Sequence, residues 1–239
     1  LVVHDITQLR QLISMRRDFI SNLSHELRTP VSVIMANSET LLNGALDNKK
    51  DAKIFAKAIL HNSERLSSMV SDLIDLSRIE YGDLKLNIKG IDFNDFMESF
   101  LVSMKSVAKK RDIELKYSPD HQGLLSADTQ ALERIMNNLL DNAYKYSDEG
   151  TLVEVSTKDQ GKMVKVMVAD SGVGVSDEDQ EHIFDRFYRT ASARASDNKG
   201  SGLGLAIVKN LINSLNGEVG IEPKKTSGSV FWFTVPKSK

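Results

Sequence analysis

Residues 9–42 read LRQLISMRRDFISNLSHELRTPVSVIMANSETLL, and their apolar side chains recur at alternating steps of three and four. That spacing places them along one side of a long α-helix. A second run of the same kind covers residues 55–79. The polar, glycine-containing break at residues 43–48 joins the two runs as a short helix–helix turn. The sequence therefore predicts an antiparallel helical hairpin.

Each helix of this hairpin carries an apolar stripe that is too wide for its single partner to bury, because a helix offers its neighbour only one face. We therefore expect two copies of the chain to combine their hairpins, over residues 12–81, into a four-helix bundle. The protein would then be a homodimer. The alternative is that the rest of the same chain covers the exposed face.

The sequence pattern changes after residues 81–83, where short strand-like runs begin to alternate with helices. The strands are predicted at residues 84–88, 113–117, 152–155, 164–168, 218–221 and 230–235, and the helices near 93–110, 128–146 and 202–215. A short turn at residues 158–161 joins two of these strands, which we expect to be antiparallel. The predicted fold class is α+β and multidomain, with the helical hairpin followed by a two-layer α/β sandwich over residues 84–237.

The composition of the 239 residues excludes several classes of protein. Since the chain has no cysteine, disulfide scaffolds, thiol nucleophiles and cysteine-bound zinc are ruled out. Lys and Arg total 31 against 33 Asp and Glu, and this balance argues against nucleic-acid binding. No apolar run approaches the roughly 18 residues of a membrane span. Because the chain begins with Leu1, we expect it to be a fragment whose missing segments would hold any membrane anchor.

Glycines cluster at two places where the backbone can approach a ligand closely. Residues 170–174, DSGVG, follow a predicted strand, and residues 200–205, GSGLGL, open a predicted helix. The second cluster resembles a phosphate cradle, because unpaired N–H groups at a helix N-terminus attract an anion. Either cluster alone is equally compatible with a simple tight turn. The surrounding pattern excludes a Rossmann or Walker A motif.

The predicted helix near 128–146 carries Asn138, Asn142 and Lys145 on one face, beside its apolar face. Asparagine is a poor helix former, so two of them one turn apart suggest a role in binding. Their carbonyl oxygens suit a Mg²⁺ ion that also takes phosphate oxygens and water, and a nearby lysine can neutralise phosphate charge. The alternative is a solvated polar face.

Within the first helix, residues 24–30 read SHELRTP. His25 lies beside the apolar stripe, Glu26 follows it about 100° round the helix, and Thr29 lies one turn further along the face of His25. A neutral imidazole nitrogen can attack phosphorus, and an adjacent carboxylate can orient it or accept its proton. The alternative is a solvated or structural histidine, which is the interpretation given to the other four: His4, His61, His121 and His182.

Taken together, these segments resemble the sensor histidine kinases of bacterial two-component systems over essentially the whole chain. The matching segments are the H box at residues 24–30, the N box at 138–146, the first glycine box at 170–174, the F box at 183–189 and the second glycine box at 200–205. Residues 4–7 and 15–19 further resemble the linker into the kinase core of phosphate-regulon (PhoR-type) sensors. By this resemblance, residues 1–11 form a linker helix from a sensor domain that is missing from the chain.

The resemblance implies a dimerisation and histidine phosphotransfer domain (HisKA) at residues 12–81 and an ATP-binding domain (HATPase_c) of the Hsp90/gyrase/MutL kind at 84–237. It implies that ATP and Mg²⁺ support phosphorylation of the protein itself. The phosphoryl group would then pass to an aspartate of a cognate response regulator, on which the protein would also act as a phosphatase. The chain would be the cytoplasmic part of a membrane-anchored sensor.

The resemblance also implies roles for individual residues. His25 is the phosphoacceptor, Glu26 the assisting base and Thr29 a residue used in dephosphorylation of the regulator. Asn142 holds Mg²⁺, and Asp170 accepts a hydrogen bond from the adenine amino group. The other residues expected at the nucleotide are Asn138, Lys145, Tyr146, Gly172, Gly174, Arg186, Gly200, Gly202, Leu203 and Gly204. Of these, Lys145 and Arg186 are expected at the phosphates and Tyr146 near the nucleoside, and residues 175–203 are expected to form a mobile lid.

Two functions from other classes remain open on the sequence. A stand-alone ATPase or chaperone with the same ATP-binding fold would explain the N box and the glycine boxes, but not His25 and Glu26 on a bundle helix. A non-catalytic dimerisation scaffold would explain the hairpin, but not the nucleotide site.

Overall fold

The computed structural model describes residues 7–80, 82, 84–195, 200–224 and 227–238. It divides into two compact units between Ile74 and Asp75. The first unit is the helical hairpin: helix α1 spans Thr7–Leu42 and helix α2 spans Lys49–Glu80. The end of α2, from Asp75 onward, belongs to the second unit. A 3₁₀ turn at Ala45–Asp47 connects them, entered through Gly44 in the left-handed region with φ 116°.

The second unit contains seven strands and five further helices in the described part of the chain. The strands are β1 Lys89–Asp92, β2 Glu114–Ser118, β3 Leu124–Ala127, β4 Leu152–Gln160, β5 Met163–Ala169, β6 Val219–Pro223 and β7 Ser229–Pro236. The helices are α3 Phe93–Lys110, α4 Thr129–Tyr146, α5 Asp177–Gln180, α6 Ala191–Ala195 and α7 Gly204–Ser214.

A five-stranded sheet in the order β2-β4-β5-β7-β6 forms one layer of this unit. Its strands are antiparallel except for the parallel pair β2 and β4. Helices α4 and α7 pack against each other and against the sheet. Strand β5 alternates accordingly, with Val164, Val166 and Val168 fully buried. The predicted two-layer α/β sandwich is confirmed, as is the helical hairpin before it.

The prediction of a strand at residues 84–88 was wrong. These residues have no regular secondary structure, and the strand β1 follows them at Lys89–Asp92. It pairs with β3, a strand that the sequence did not predict. Because β3 has four residues, the pairing ends at Lys89, and the N–H of Asn87 donates instead to the Asp128 carboxylate.

Two boundaries also differ from prediction. Strand β4 continues through Gln160, so the turn to β5 lies at Gly161-Lys162 rather than at residues 158–161. The antiparallel pairing of the two strands is as predicted. Helix α7 begins at Gly204 instead of residue 202, since Gly202 has φ 71° and cannot take part in a right-handed helix.

No helix among the described residues combines the length and the apolar character that a membrane crossing requires.

Candidate functional site

The H box lies on α1, which continues as a helix through Pro30. His25 is exposed, and Glu26 is half-buried. The Oε2 atom of Glu26 lies 3.0 Å from Nη2 of Arg65 on α2, whose side chain is only 12% exposed. The ion pair therefore holds the Glu26 carboxylate toward the second helix of the hairpin, beside a histidine that solvent can reach.

Thr29 lies on the same exposed side of α1 as His25. Its Oγ1 is 3.4 Å from the His25 carbonyl oxygen. That distance is longer than the roughly 2.5–3.0 Å of an ordinary O–H···O hydrogen bond. The hydroxyl is consequently only weakly engaged with the backbone.

The N box lies on α4, an amphipathic helix that begins at the N-cap Asp128. Its buried face consists of Ala131, Leu132, Ile135, Met136, Leu139, Leu140, Ala143 and Tyr144. Asn138 and Asn142 lie half-buried beside this face. The Nδ2 of Asn138 donates to the Arg134 carbonyl at 3.0 Å, which orients the amide.

The first glycine box contacts the end of α4. Ser147, directly after the N box, forms a backbone bridge with Gly172. A Cβ atom at position 172 would lie 2.2 Å from the Tyr146 carbonyl oxygen, so only glycine fits there. The structure therefore brings the N box and the first glycine box together.

Asp170 opens the first glycine box and is 5% exposed. Its Oδ1 accepts hydrogen bonds from the N–H groups of Gly172, at 2.9 Å, and Ser229, at 3.2 Å. Burial is the largest influence on this carboxyl and raises its pKa above the ordinary value, while the two N–H groups and the Lys224 ammonium act in the opposite direction. Because both backbone donors approach Oδ1, an incoming hydrogen-bond donor would use Oδ2.

The second glycine box contacts both the N box and the F box. A Cβ atom on Gly204 would lie 2.8 Å from Oδ1 of Asn138, and one on Gly202 would lie 2.8 Å from the Phe187 backbone. The Phe187 N–H donates to the Gly202 carbonyl at 2.9 Å, and Phe187 itself has φ 61°. A bulky residue in the left-handed region is strained, so the contacts around Phe187 must hold it in that conformation.

Helix α7 begins with the second glycine box. Its N-cap residue, Leu203, is fully buried and provides no side-chain hydrogen bond to the first turn. Ser201 Oγ accepts from the Leu203 N–H at 3.3 Å, just before the first turn. N–H groups in the first turn of a helix are the donors that bind phosphate at helix N-termini.

The remaining predicted nucleotide residues show less specific geometry. The Lys145 Nζ lies 2.5 Å from Asp141 Oδ2, one turn back on α4, and Arg186 is exposed. Gly174 has φ 76°, which favours glycine, whereas a Cβ on Gly200 would meet nothing within 4 Å. Their roles stay predictions.

The proposed lid at residues 175–203 has more structure than we expected. Residues 191–199 are mostly small or polar, a composition that suits a mobile loop, yet residues 191–195 form α6 and Ala193 is buried. The Thr190 hydroxyl caps that helix by accepting from the Ala193 N–H at 3.1 Å. Residues 196–199 lie outside the described part of the chain.

Sequence reasoning missed several residues of the site. No role at the site was predicted for Arg65, Lys224 or Gly228. A Cβ atom on Gly228 would lie 2.2 Å from the Asp170 carbonyl oxygen. The Lys224 Nζ donates to the same carbonyl at 3.2 Å. The signal available for Gly228 was a glycine directly before the last strand, while nothing in the sequence pairs Lys224 with Asp170.

The donors present fit a Mg²⁺ ion that is held mainly by phosphate. In the described residues, no group of three or more His, Cys, Asp or Glu side chains could hold a metal ion by itself. A single neutral amide such as that of Asn142 can complete a shell of phosphate oxygens and water.

Two family models match the chain. Residues 15–82 match the His Kinase A (phospho-acceptor) domain, and residues 127–239 match the Histidine kinase-, DNA gyrase B-, and HSP90-like ATPase. The chain therefore belongs to the histidine kinases. The resemblance drawn from its five boxes is confirmed at the level of both domains.

Individual relatives agree with this assignment. The sensor-like histidine kinase SenX3 of Mycobacterium tuberculosis is 35% identical over 234 residues, which are 98% of this chain and 57% of SenX3. The chain thus spans a little over half the length of that relative.

Solved structures match as well. ShkA, in complex with AMPPNP, is 26% identical with a TM-score of 0.68, over 93% of this chain and 46% of ShkA. The histidine kinase ThkA, in complex with the response regulator protein TrrA, is 23% identical with a TM-score of 0.78, over 96% of this chain and 64% of ThkA, and that likeness shows the fold alone.

Proposed function

We propose that the chain is an ATP-dependent autokinase that phosphorylates His25 and passes the phosphoryl group to an aspartate of a response regulator. One observation carries the proposal: an exposed His25 adjoins the ion-paired Glu26 in a phosphoacceptor domain, and the same chain holds an ATPase-type domain. A stand-alone ATPase has no use for the first feature, and a scaffold has none for the second.

In the proposed kinase step, a neutral ring nitrogen of His25 donates its electron pair to the γ-phosphorus of ATP. The new N–P bond forms as the bond from that phosphorus to ADP breaks, and ADP leaves. Glu26 orients the imidazole and accepts the proton from its other nitrogen. Asn142 would hold Mg²⁺ through its amide oxygen, and the bound ion would neutralise the phosphate charge.

Binding of ATP would use the contacts between the boxes. Asp170 would accept from the adenine amino group, and the first turn of α7 would face the phosphates. Asn138 lines the same site, since its amide oxygen adjoins Gly204. The ShkA complex with AMPPNP supports a nucleotide in this domain.

Incubation with γ-labelled ATP tests the proposal directly. The label should attach to the chain and be acid-labile and base-stable, as phosphohistidine is. ATP turnover without labelled protein would favour the stand-alone ATPase or chaperone, and failure to bind ATP–Mg²⁺ would favour the scaffold.

The proposed partner is a response regulator whose aspartate takes the phosphoryl group from His25. The match of residues 15–82 to the His Kinase A (phospho-acceptor) domain supports a partner of this class. We also propose that the chain is the cytoplasmic part of a longer, membrane-anchored sensor of the PhoR type. The stretch at residues 4–7 that suggests this subgroup falls mainly outside the described residues.

We expect the chain to be a constitutive homodimer through its hairpin. Large apolar side chains stay exposed on α1, α2 and the turn between them: Ile20, Val31, Met35, Leu42, Leu46, Ile54, Leu60, Val70 and Ile74. An obligate interface buries roughly 2,000 Å² or more, so no dissociation should be seen at micromolar concentration. Sedimentation equilibrium measures this, and a monomeric mass there would contradict the dimer.

Thr29→Ala should retain autophosphorylation and lose most phosphatase activity toward the phosphorylated regulator. Dephosphorylation needs a water molecule held in line with the aspartyl phosphate, and the exposed Thr29 hydroxyl can hold it. The substitution removes that hydroxyl and slightly favours the helix. The autophosphorylation rate is measured on the chain, and the dephosphorylation rate is measured on the phosphorylated cognate regulator.

The matched control for Thr29 is Thr40→Ala. Thr40 is also exposed on α1, and its Oγ1 donates to the Ala36 carbonyl at 2.8 Å. It should change neither rate. If Thr29 only bonds to the His25 carbonyl, the phosphatase rate of Thr29→Ala will equal that of the control.

A further inference from the structure

Asp128 lies between β3 and α4 and is buried, with 9% of its surface exposed. Its Oδ1 accepts from the Ala131 N–H at 2.9 Å and so caps α4. This helix carries Asn138 and Asn142. The conformation of Asp128 thus fixes where the nucleotide-binding helix begins.

The second oxygen of Asp128 holds a different part of the chain. Oδ2 accepts from the backbone N–H of Asn87 at 2.7 Å, in the irregular segment before β1. Hydrogen bonds to a carboxylate are about twice as strong as those between neutral groups. A buried carboxylate oxygen that loses its donor is destabilised, so a change at Asn87 acts on the cap of α4.

A second contact, from Asp75 near the end of α2, reaches α4 about 1.7 turns further on. The Arg134 Nη2 lies 3.0 Å from Asp75 Oδ2, and the Arg134 carbonyl accepts from Asn138 Nδ2. Asn87 and Asp75 both belong to the second unit, and they contact the start of α4 and Arg134, respectively, which are about 9 Å apart along the helix axis.

We propose that Asp128 is a positioning residue for the nucleotide site, which it couples through α4 to the irregular segment that contains Asn87. The inference rests on the proposed function, since it takes Asn138 and Asn142 to bind ATP–Mg²⁺. Leu132, Ile135 and Leu139 on the buried face of α4 are fully enclosed, so the helix moves as a unit when its start is displaced. Such coupling is reciprocal. If the Asn87–Asp128 hydrogen bond raises the affinity for nucleotide by some factor, bound nucleotide must raise the equilibrium constant for forming that hydrogen bond by the same factor.

A matched pair of variants at one position isolates this hydrogen bond. Asn87→Ala keeps the backbone N–H that Asp128 accepts, whereas Asn87→Pro removes it. Asp128→Asn is the complementary change, because its amide can still cap α4 through the oxygen while its NH₂ group faces the Asn87 N–H. Calorimetric titration with ATP–Mg²⁺ gives the affinity of each variant in the full chain.

We expect Asn87→Pro and Asp128→Asn to bind ATP–Mg²⁺ at least threefold more weakly than wild type, and Asn87→Ala to stay within twofold. A hydrogen-exchange measurement on the wild-type chain needs no variant. In it, saturating ATP–Mg²⁺ should slow exchange at the Asn87 amide by a factor similar to the loss of affinity.

An Asn87 amide whose exchange is unaffected by ATP–Mg²⁺ overturns the inference, as does wild-type affinity in both Asn87→Pro and Asp128→Asn. Either result would leave Asp128 as a helix cap only. Failure of the wild-type chain itself to bind ATP–Mg²⁺ is a different outcome, because it overturns the proposed function together with this inference.

Discussion

His25→Ala should abolish transfer of label from γ-labelled ATP to the chain. Alanine has no group that can attack phosphorus, and the exposed position of His25 on α1 lets the substitution occur without disturbing a packed core. The affinity for ATP–Mg²⁺ should stay at the wild-type value, because the ATPase-type domain is a separate family domain. Acid-labile label is counted on the protein, and nucleotide affinity is measured by calorimetry on the same preparation.

His61→Ala is the matched control for this experiment. His61 is also exposed on a long helix of the hairpin, and the next residue is Asn62 instead of a glutamate. The His61→Ala variant should be labelled as fast as the wild-type chain. Acid-labile label that persists in His25→Ala, or that disappears in His61→Ala alone, would contradict the assignment of His25.

The long helices and the boxes could be predicted because their signals are local. The apolar spacing of α1 repeats within one turn, and the asparagines of the N box stand out because the residue disfavours helix. Each glycine box is a run of adjacent residues, so it can be recognised in the sequence without knowing the fold. Local patterns of this kind fix the element and the face on which a residue lies.

Contacts between distant residues could not be predicted in this way. Glu26 and Arg65 are 39 positions apart, Asn87 and Asp128 are 41 apart, and Asp170 and Ser229 are 59 apart. Which pairs meet is decided by strand register and helix packing, which no local pattern encodes. The missed strand β3 has the same cause, because four residues are too few to show an alternation and become a strand only through pairing with β1.

Helix α6 shows how a local signal can be misread. The stretch after Thr190 was judged by its small and polar side chains, which suit a mobile loop. Alanine, however, has the highest helix propensity, and a threonine before such a run is a good N-cap. The hydrogen bond from the Ala193 N–H to the Thr190 hydroxyl is such a cap.

Asp170→Asn should weaken ATP binding and should make the site prefer a base that carries an oxygen in place of the adenine amino group. In the wild-type site, Oδ1 is occupied by the N–H groups of Gly172 and Ser229. The asparagine oxygen must take over those two bonds, which places its NH₂ group where Oδ2 was. An amino group then faces the adenine amino group, donor against donor. A hydrogen bond to a charged group contributes about 1.5–3 kcal/mol, so ATP should bind roughly 10- to 100-fold more weakly.

Inosine triphosphate distinguishes a lost hydrogen bond from a damaged site, because it carries an oxygen where adenine carries the amino group. The asparagine NH₂ can donate to that oxygen, so Asp170→Asn should gain affinity for inosine triphosphate relative to ATP, whereas wild type prefers ATP. The control is Asp120→Asn, the same change at an exposed position before β3, which should keep the wild-type preference. Calorimetric titration of the three proteins with both nucleotides gives the ratios. An equal loss of affinity for both nucleotides in Asp170→Asn would show that the carboxylate supports the loop and does not bind the base.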